Sequence, residues 1–291
     1  MRSAHIDGRL VIKARRGYLD AAEASGQRFG PDPQSAFDDW EAFSSWTREF
    51  LASPDAATAP LVGTDDSTKW GPPVPRPTQI FAVGLNYRDH IAEAKLEVPT
   101  EPAIFAKFRA SLTGHESAVT LPEGLVDWEA ELVVVIGRYC YRATRETAWS
   151  YVAGLTVGQD LSERRMQLAG PAPQYGLAKS YPGFAPLGPE LVSADEFADP
   201  DDLELGCRLE GGEVLQKSRT SRMVFDVPEI ITYVSAVCPL LPGDVVFTGT
   251  PAGVGVGRTP PKFLAPGDVL VTWIEGIGTL RNPMLAQASE A

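Results

Sequence analysis

Short apolar runs that end near glycine or proline are the feature that most constrains the fold of this chain. Residues 131–136, 245–248 and 269–274 are of strand length and lie beside turn residues, which is typical of interior strands. The 27 glycines and 25 prolines, about 18% of the chain against an average near 12%, are spread between such runs. Helix candidates (residues 86–95, 145–152, 162–168 and 228–237) are fewer and do not alternate with the strands. The sequence therefore predicts an α+β fold dominated by β-structure, as a roll or a barrel-like domain.

Residues 1–72 differ from the rest of the chain. Residues 9–14 indicate a short strand, and an aromatic stripe with helical spacing follows, formed by Phe37, Trp40, Phe43, Trp46 and Phe50. Such a stripe is typical of a helix packed on a core. The stretch WGPPVPRPTQ, residues 70–79, holds four prolines and excludes a regular helix or central strand. We therefore predict a small N-terminal α/β domain over residues 1–72 and a main domain over residues 73–291.

The charge and the cysteines restrict the class of protein. A net charge of −12 and a pI near 4.8 argue against nucleic acid or an anionic membrane as the main partner. Three cysteines without CxxC spacing indicate neither a disulfide framework nor a cysteine zinc site. The first twenty residues lack the apolar core of a secretory signal, and no run approaches the roughly 18 apolar residues of a membrane span. We expect a soluble cytoplasmic protein.

The stretch DWEAEL, residues 127–132, places three acids at the start of an apolar strand. Residues two apart in a strand share a face, so Glu129 and Glu131 would project side by side and repel each other. A divalent cation relieves that repulsion, and hard ions such as Mg²⁺, Mn²⁺ or Ca²⁺ prefer carboxylate oxygen. Asp160, which ends an apolar segment, is the candidate third ligand, and Asp127 is the less favoured one. The alternative is a solvated edge strand on which the two glutamates have no function.

A second group of polar residues lies in NYRDHIAE, residues 86–93. If this segment is helical, His90 and Glu93 share a face. A carboxylate beside an imidazole orients it and suits a general base near neutral pH. The alternative is a surface contact between the two side chains.

The glycine-rich stretch GTPAGVGVGR, residues 249–258, does not match GxGxxG, and the chain has no GxxxxGK[ST]. A nucleotide site is therefore not expected. The loop could present its backbone N–H groups and the Thr250 hydroxyl to a small anion, or it could be a plain connection.

Segments over residues 78–283 resemble the fumarylacetoacetate hydrolase family in both order and spacing. A match over many segments is more specific than any one motif. The segments are AVGLNYRDHIAE (82–93), PAIFAKFRASLTG (102–114), DWEAELVVVIG (127–137), GLTVGQDLSERRMQ (154–167), LAKSYPGFAPLGPEL (177–191), QKSRTSRMVF (216–225), LLPGDVVFTGTPAGVG (240–255) and LAPGDVL (264–270). The resemblance implies the family's mixed β-roll and a homodimer.

The resemblance also implies roles for individual residues. The ligands of a divalent metal, usually Mg²⁺ or Mn²⁺ and Ca²⁺ in some members, would be Glu129, Glu131 and Asp160. The catalytic residues would be His90, Glu93 and Lys179, with the first two on a lid in smaller members of the family. The substrate contacts would be Arg164, Gln167 and Thr250.

Family substrates are 2-oxo acids, so the resemblance implies a small-molecule partner of that class. We expect a metal-dependent hydrolase that cleaves the C3–C4 bond of an acylpyruvate to pyruvate and a carboxylic acid, in aromatic or related catabolism. His90, oriented by Glu93, would activate water, and Lys179 would stabilise the oxyanion. The alternative is an oxaloacetate-type decarboxylase, or a hydratase or isomerase of a dienoic 2-oxo acid, on the same metal site. A non-catalytic member of the fold is a third alternative.

Overall fold

The computed structural model describes residues 1–65 and 67–287. Its helices are α1 (Ala21–Ala24), α2 (Trp40–Ala52), α3 (Asp55–Thr58), α4 (Arg88–Glu93), α5 (Arg164–Gln167), α6 (Tyr175–Ala178) and α7 (Val227–Val237). Its strands are β1 (Arg2–Ile6), β2 (Arg9–Ala14), β3 (Gly17–Asp20), β4 (Trp70–Gly71), β5 (Ile80–Gly84), β6 (Ala103–Ala106), β7 (Leu112–Thr113), β8 (Val119–Leu121), β9 (Val126–Asp127), β10 (Ala130–Ile136), β11 (Val152–Gln159), β12 (Ser162–Glu163), β13 (Ala185–Val192), β14 (Glu204–Leu209), β15 (Val214–Arg219), β16 (Val245–Phe247), β17 (Val269–Ile274) and β18 (Gly278–Ala286). Among the described residues, no helix combines the length and the apolar character that crossing a bilayer requires.

Most strands belong to one large mixed sheet. Its main path is β3-β2-β1-β13-β11-β10-β16-β5-β6, with β4 beside β1 and β7 beside β13. The central strand β10 pairs antiparallel with β11 and β16, and every one of its residues is buried. Burial on both faces explains the uninterrupted apolar run at 131–136, because neither face of this strand meets water.

A second sheet of five strands has the order β15-β14-β17-β18-β8. Side chains of both sheets share one apolar cluster, which contains Leu132 and Leu155 of the large sheet and Leu205, Ile274 and Leu280 of the small one. Both sheets combine parallel and antiparallel pairs, and their strand order is open across the described residues. The predicted α+β fold dominated by β-structure is therefore confirmed, as a mixed roll without closure into a barrel.

The N-terminal residues pack against one side of the large sheet. The aromatic stripe of α2 turns inward, and Trp40 and Phe43 share a buried cluster with Val133 and Phe247 of the central strands. Because β1 pairs with β13, the strands β1–β3 extend the large sheet. The division into domains at residue 72 stays a prediction.

Local predictions agree with the structure where the apolar period is clear. β2 and β17 have the predicted bounds, and α7 begins one residue before the predicted start. The helix predicted over residues 145–152 is wrong, because a 3₁₀ turn at Ala148–Tyr151 leads directly into β11. The helix predicted over residues 162–168 is shorter, since β12 pairs with β9 and only α5 is helical. Strand pairing overrides local helix propensity at both places.

His115 is a buried histidine between β7 and β8. Its ring lies edge-on to Trp70 with centroids 4.9 Å apart, and its Nε2 is 3.7 Å from Glu116 Oε1. Burial lowers the pKa of His115 from 6.5 to about 4, and the more distant Glu190 charge opposes this only in part. The folded protein therefore holds His115 neutral over a pH range in which the unfolded chain is protonated.

We expect this histidine to make stability depend on pH. Because its folded pKa lies below its unfolded pKa, its contribution is complete above pH 6.5 and is lost as the pH falls towards 4. Between pH 7 and pH 5 the wild type should lose about 2 kcal/mol more unfolding free energy than His115→Phe, which keeps the ring. Urea denaturation at both pH values measures this difference, and equal losses would contradict a neutral, buried His115.

Candidate metal centre and active site

Three acidic side chains meet at one end of the central strands. Glu131 lies in β10, Glu129 directly precedes that strand, and Asp160 directly follows its partner β11. The pairing of Ala130 with Gln159 brings these strand ends together, and the Asp160 N–H donates to the Glu129 carbonyl at 2.9 Å. One ligand oxygen from each acid lies within 4.8 Å of the other two, and all three residues are buried. They are the one such group of three among the residues that the structure describes.

Three buried cations surround these carboxylates. The Lys179 ammonium donates to Glu129 Oε2 at 2.6 Å and to Asp160 Oδ2 at 2.7 Å. Arg164 Nη1 lies 2.8 Å from Glu129 Oε1, and Lys107 Nζ donates to Asp160 Oδ1 at 2.6 Å. Because the three cations and the three carboxylates are all buried, each depends on its partners: removing one would leave an uncompensated charge in the interior.

Sequence reasoning does not single out Lys107, although it belongs to the segment PAIFAK. It directly follows β6, and its ammonium also donates to the backbone carbonyls of Lys179 and Phe184. A lone lysine in an otherwise apolar segment is the signal that could have indicated it, because a buried lysine needs acceptors from elsewhere.

The charges within the cluster are unevenly balanced. Burial raises the pKa of Glu129, but Lys179 and the neighbouring guanidinium outweigh it and bring that pKa down to about 2. Burial, together with the charges of Asp160 and Glu129, raises the pKa of Glu131 well above its usual range. Of the described groups, the Gly249 N–H is the one that donates to the Glu131 carboxylate, at 2.7 Å. The three cations equal the three carboxylates in number, but among the described residues none of them forms an ion pair with Glu131. The three carboxylates also form a set of oxygen ligands that fits a hard divalent cation.

The glycine-rich loop over residues 249–256 binds carboxylates through its backbone. Three acids accept its N–H groups: Glu131, Glu93 and Asp127. Their donors, in the same order, are Gly249 at 2.7 Å, Gly253 at 3.0 and 3.2 Å, and Gly255 at 2.6 Å. The loop amides therefore bind carboxylates of the same chain. Binding of a separate small anion, one of the two alternatives proposed from sequence, stays a prediction.

The predicted dyad lies on α4. His90 Nδ1 is 3.2 Å from Glu93 Oε2, and the Gly253 N–H donates to the same carboxylate. Glu93 thus connects the histidine to the glycine-rich loop. Because Nδ1 faces Glu93, Nε2 is the ring nitrogen available to another group.

A cavity of about 160 Å³ joins the dyad to the carboxylate cluster. Six of the nine predicted site residues line it: His90, Glu129, Arg164, Gln167, Lys179 and Thr250. The other three (Glu93, Glu131 and Asp160) contact these residues or the glycine-rich loop from outside the lining. The structure therefore brings all nine together, while their roles stay predictions.

Thr250 and Arg164 differ in their remaining hydrogen-bonding capacity. The Thr250 hydroxyl donates to the Ala130 carbonyl at 3.0 Å and accepts from Gln216 Nε2 at 2.8 Å. Its one proton is committed to the backbone, so binding a substrate carboxylate would require it to exchange partners. Arg164 Nη2, in contrast, is buried and has no hydrogen-bond partner among the described residues.

Residues 79–285 match the family model described as "Fumarylacetoacetate (FAA) hydrolase C-terminal". The chain belongs to the fumarylacetoacetate hydrolase family. The bovine oxaloacetate tautomerase FAHD2A, a mitochondrial protein, is 45% identical over 215 residues, which cover 73% of this chain and 68% of that protein. A crystal structure from Mycobacterium smegmatis is 52% identical, with a TM-score of 0.90 over 98% of this chain and 99% of that chain.

A more distant family member shows a metal in this fold. The maleylpyruvate hydrolase from Sphingobium sp. SYK-6, solved with manganese (II) ion and pyruvate, is 26% identical with a TM-score of 0.79. The match covers 98% of this chain and 99% of that chain. Proteins similar to this chain thus include both an oxaloacetate tautomerase and a maleylpyruvate hydrolase.

Replacing Glu131 by Gln should weaken Mn²⁺ binding at least tenfold, because a neutral amide removes one anionic ligand from the cluster. Isothermal titration calorimetry measures the dissociation constant. Glu123→Gln makes the same change at an exposed residue nearby and should leave the constant unaltered. Equal affinities of wild type and Glu131→Gln would show that the ion binds elsewhere.

Gly249 of the glycine-rich loop and Gly267, just before β17, permit a matched test of backbone strain. Gly249 and Gly267 have the same φ of +96°, but a Cβ at Gly249 would lie 2.6 Å from Asn86 Cβ, whereas one at Gly267 would meet nothing within 4 Å. We expect Gly267→Ala to lower the unfolding free energy by about 1–2 kcal/mol through strain alone. Gly249→Ala should lower it further and also weaken Mn²⁺ binding, since the Gly249 N–H holds Glu131. If urea denaturation shows that both variants lose the same unfolding free energy, the predicted clash between the new Cβ and Asn86 is contradicted.

Proposed function

We propose that this chain is a divalent-metal-dependent tautomerase of oxaloacetate or a closely similar dicarboxylic 2-oxo acid. The bovine relative named above supports an isomerase of oxaloacetate, which belongs with the alternative reactions considered from sequence. The acylpyruvate hydrolase expected from the family resemblance is the second candidate, supported by the maleylpyruvate hydrolase of the same fold. Both candidates are enzymes of this family that act on a small-molecule substrate.

The observation that supports the proposal most is that Arg164 Nη2 has no hydrogen-bond partner among the residues that the structure describes. Its Nη2 is buried, and the residue lines the cavity beside Glu129. A buried guanidinium N–H without an acceptor is unfavourable, so a ligand that supplies one gains a charge-assisted hydrogen bond. A 2-oxo acid with a second carboxylate would use one end for the carboxylate cluster and its cations, and the other end for Arg164.

The reaction moves one proton between C3 and the 2-oxo oxygen. A divalent cation held by the three carboxylates would act as a Lewis acid and stabilise negative charge on that oxygen. His90 Nε2 takes the proton from C3, the C–H electrons form the C2–C3 double bond, and the carbonyl electrons move to the oxygen. The oxygen then takes a proton from solvent water and protonated His90 releases its proton to solvent, so the enol forms with no net change in protons. Glu93 orients the imidazole and stabilises its protonated form.

Lys179 provides the positive charge on the cavity wall. Burial lowers the pKa of Lys179, but Asp160 and Glu129 more than offset this and raise it, so the ammonium stays protonated near neutral pH. It thus offers an N–H donor to the oxygen on which charge develops. In the reverse direction, protonated His90 returns the proton to C3.

The remaining features of the proposal follow the family. We propose Mg²⁺ or Mn²⁺ as the ion, because the ligand set is carboxylate alone, and a homodimer as the assembly. A cytoplasmic location stays a prediction, and the bovine relative is a mitochondrial protein.

His90→Ala should lower the rate of enol–keto conversion of oxaloacetate by about 10²–10⁴-fold, because it removes the proton-transfer group. The ultraviolet absorbance of the enol measures the rate in the presence of Mg²⁺ or Mn²⁺. Mn²⁺ affinity should change little, since His90 is not among the three carboxylates. His5→Gln, a histidine that contacts the Pro72 carbonyl outside the cavity, is the control.

A panel of acylpyruvates assayed for pyruvate separates the two candidates. The tautomerase proposal fails if wild type cleaves an acylpyruvate at a rate that His90→Ala abolishes, while the oxaloacetate enol converts at its uncatalysed rate.

A further inference from the structure

We propose that Asp127 is a positioning residue that aims the free Nη2 of Arg164 at the second carboxylate of the substrate. Asp127 would thereby set the selectivity for dicarboxylic over monocarboxylic 2-oxo acids. This inference rests on the proposed function only for the chemical class of the substrate.

The bonds of Asp127 leave it no capacity for another role. It is fully buried, and its carboxylate accepts backbone N–H groups from Trp128 at 2.8 Å, Gly255 at 2.6 Å and Val256 at 3.0 Å. The fourth donor is Arg164 Nε at 2.9 Å. A carboxylate offers about four lone-pair positions, so those of Asp127 are all in use. Asp127 therefore has no lone pair left for a metal, and from the sequence too it is the less favoured ligand.

The guanidinium of Arg164 is held on two of its three nitrogens. Nε donates to Asp127, and Nη1 lies 2.7 Å from Gln167 Oε1 and 2.8 Å from Glu129 Oε1. Because a guanidinium is planar and rigid, fixing two nitrogens also fixes the direction of the third. A guanidinium is not deprotonated in proteins, so the group keeps its charge.

Asp127 also ties Arg164 to the glycine-rich loop. Val256, whose N–H donates to Asp127, lines the cavity together with Arg164. At Gly255 a Cβ would lie 1.8 Å from the Lys262 carbonyl oxygen and 2.8 Å from Asp127 Oδ1, so glycine is needed for this approach. One carboxylate therefore sets the separation between the loop wall of the cavity and the guanidinium.

The test compares two ligands that differ by one carboxylate: freshly dissolved oxaloacetate and pyruvate. Dissociation constants are measured by calorimetry on the enzyme with Mg²⁺. The dissociation constant of pyruvate divided by that of oxaloacetate reports how much the second carboxylate contributes to affinity. Asp127→Asn places an amide among N–H donors and releases Arg164, so this ratio should fall at least tenfold. Pyruvate affinity should change less than about threefold. Because binding and not turnover is measured, absence of tautomerase activity would leave this result intact.

A merely structural role of Asp127 gives a different outcome. In that case both constants rise together, the ratio stays unchanged, and the proposal is overturned. Thermal unfolding of Asp127→Asn, measured alongside, shows whether the variant is folded under the conditions of the titration.

A second variant covers the case in which Asp127→Asn does not fold. Arg164→Lys leaves Asp127 and the loop in place and keeps the charge, but a single ammonium lacks the fork that reaches Asp127 and the substrate together. It should lower the ratio at least tenfold, whereas Arg165→Lys, at the exposed neighbour on α5, should not. An unchanged ratio in Arg164→Lys would overturn the proposal. Adding Asp127→Asn to Arg164→Lys should lower the ratio no further, and an additive loss would also contradict it.

Discussion

Buried carboxylates must be compensated by cations and hydrogen bonds, and this requirement determines how the segments around the cavity pack. Four carboxylates (Asp127, Glu129, Glu131 and Asp160) lie buried at the ends of the central strands. An ionised carboxylate in the interior is unfavourable unless cations and hydrogen bonds surround it. The compensating groups come from separate parts of the chain: Lys107 after β6, Arg164 on α5, Lys179 after α6 and the glycine-rich loop. These groups bring segments between residues 107 and 256 together and form one wall of the cavity.

The glycine-rich loop extends the same principle without side-chain charge. Its amides hold Glu131 of β10, Glu93 of α4 and Asp127 of β9, so one short segment fixes acids from three elements. Backbone N–H groups suit this task because they orient a carboxylate without adding a competing cation. Close approach requires glycine at these positions, which explains a composition that resembles a phosphate-binding loop but lacks its spacing.

The sequence predicts the strands, the β-dominated fold and the residues around the cavity. It predicts less well the segments that connect the strands and the contacts between distant side chains. The strands at 131–136 and 269–274 are clear in the sequence because most or all of their side chains are buried and apolar. The segment 145–152, in contrast, gives no signal for the strand pairing that follows it. From the sequence pattern alone, Glu129, Glu131 and the candidate Asp160 are a weak signal, and the family resemblance is what indicates a metal site. The partners of Lys107 and of Asp127 could not be predicted, because these contacts join segments that are distant in sequence.

One histidine can serve both candidate reactions. Hydrolysis needs a water molecule placed beside the C4 carbonyl in addition to the substrate, whereas tautomerisation needs only a base within reach of C3. In both reactions His90 would be that base, because Glu93 contacts its Nδ1 and the same cavity contains Glu129 of the carboxylate cluster. The two reactions then differ in whether water reaches the bound substrate, so one fold can support either of them.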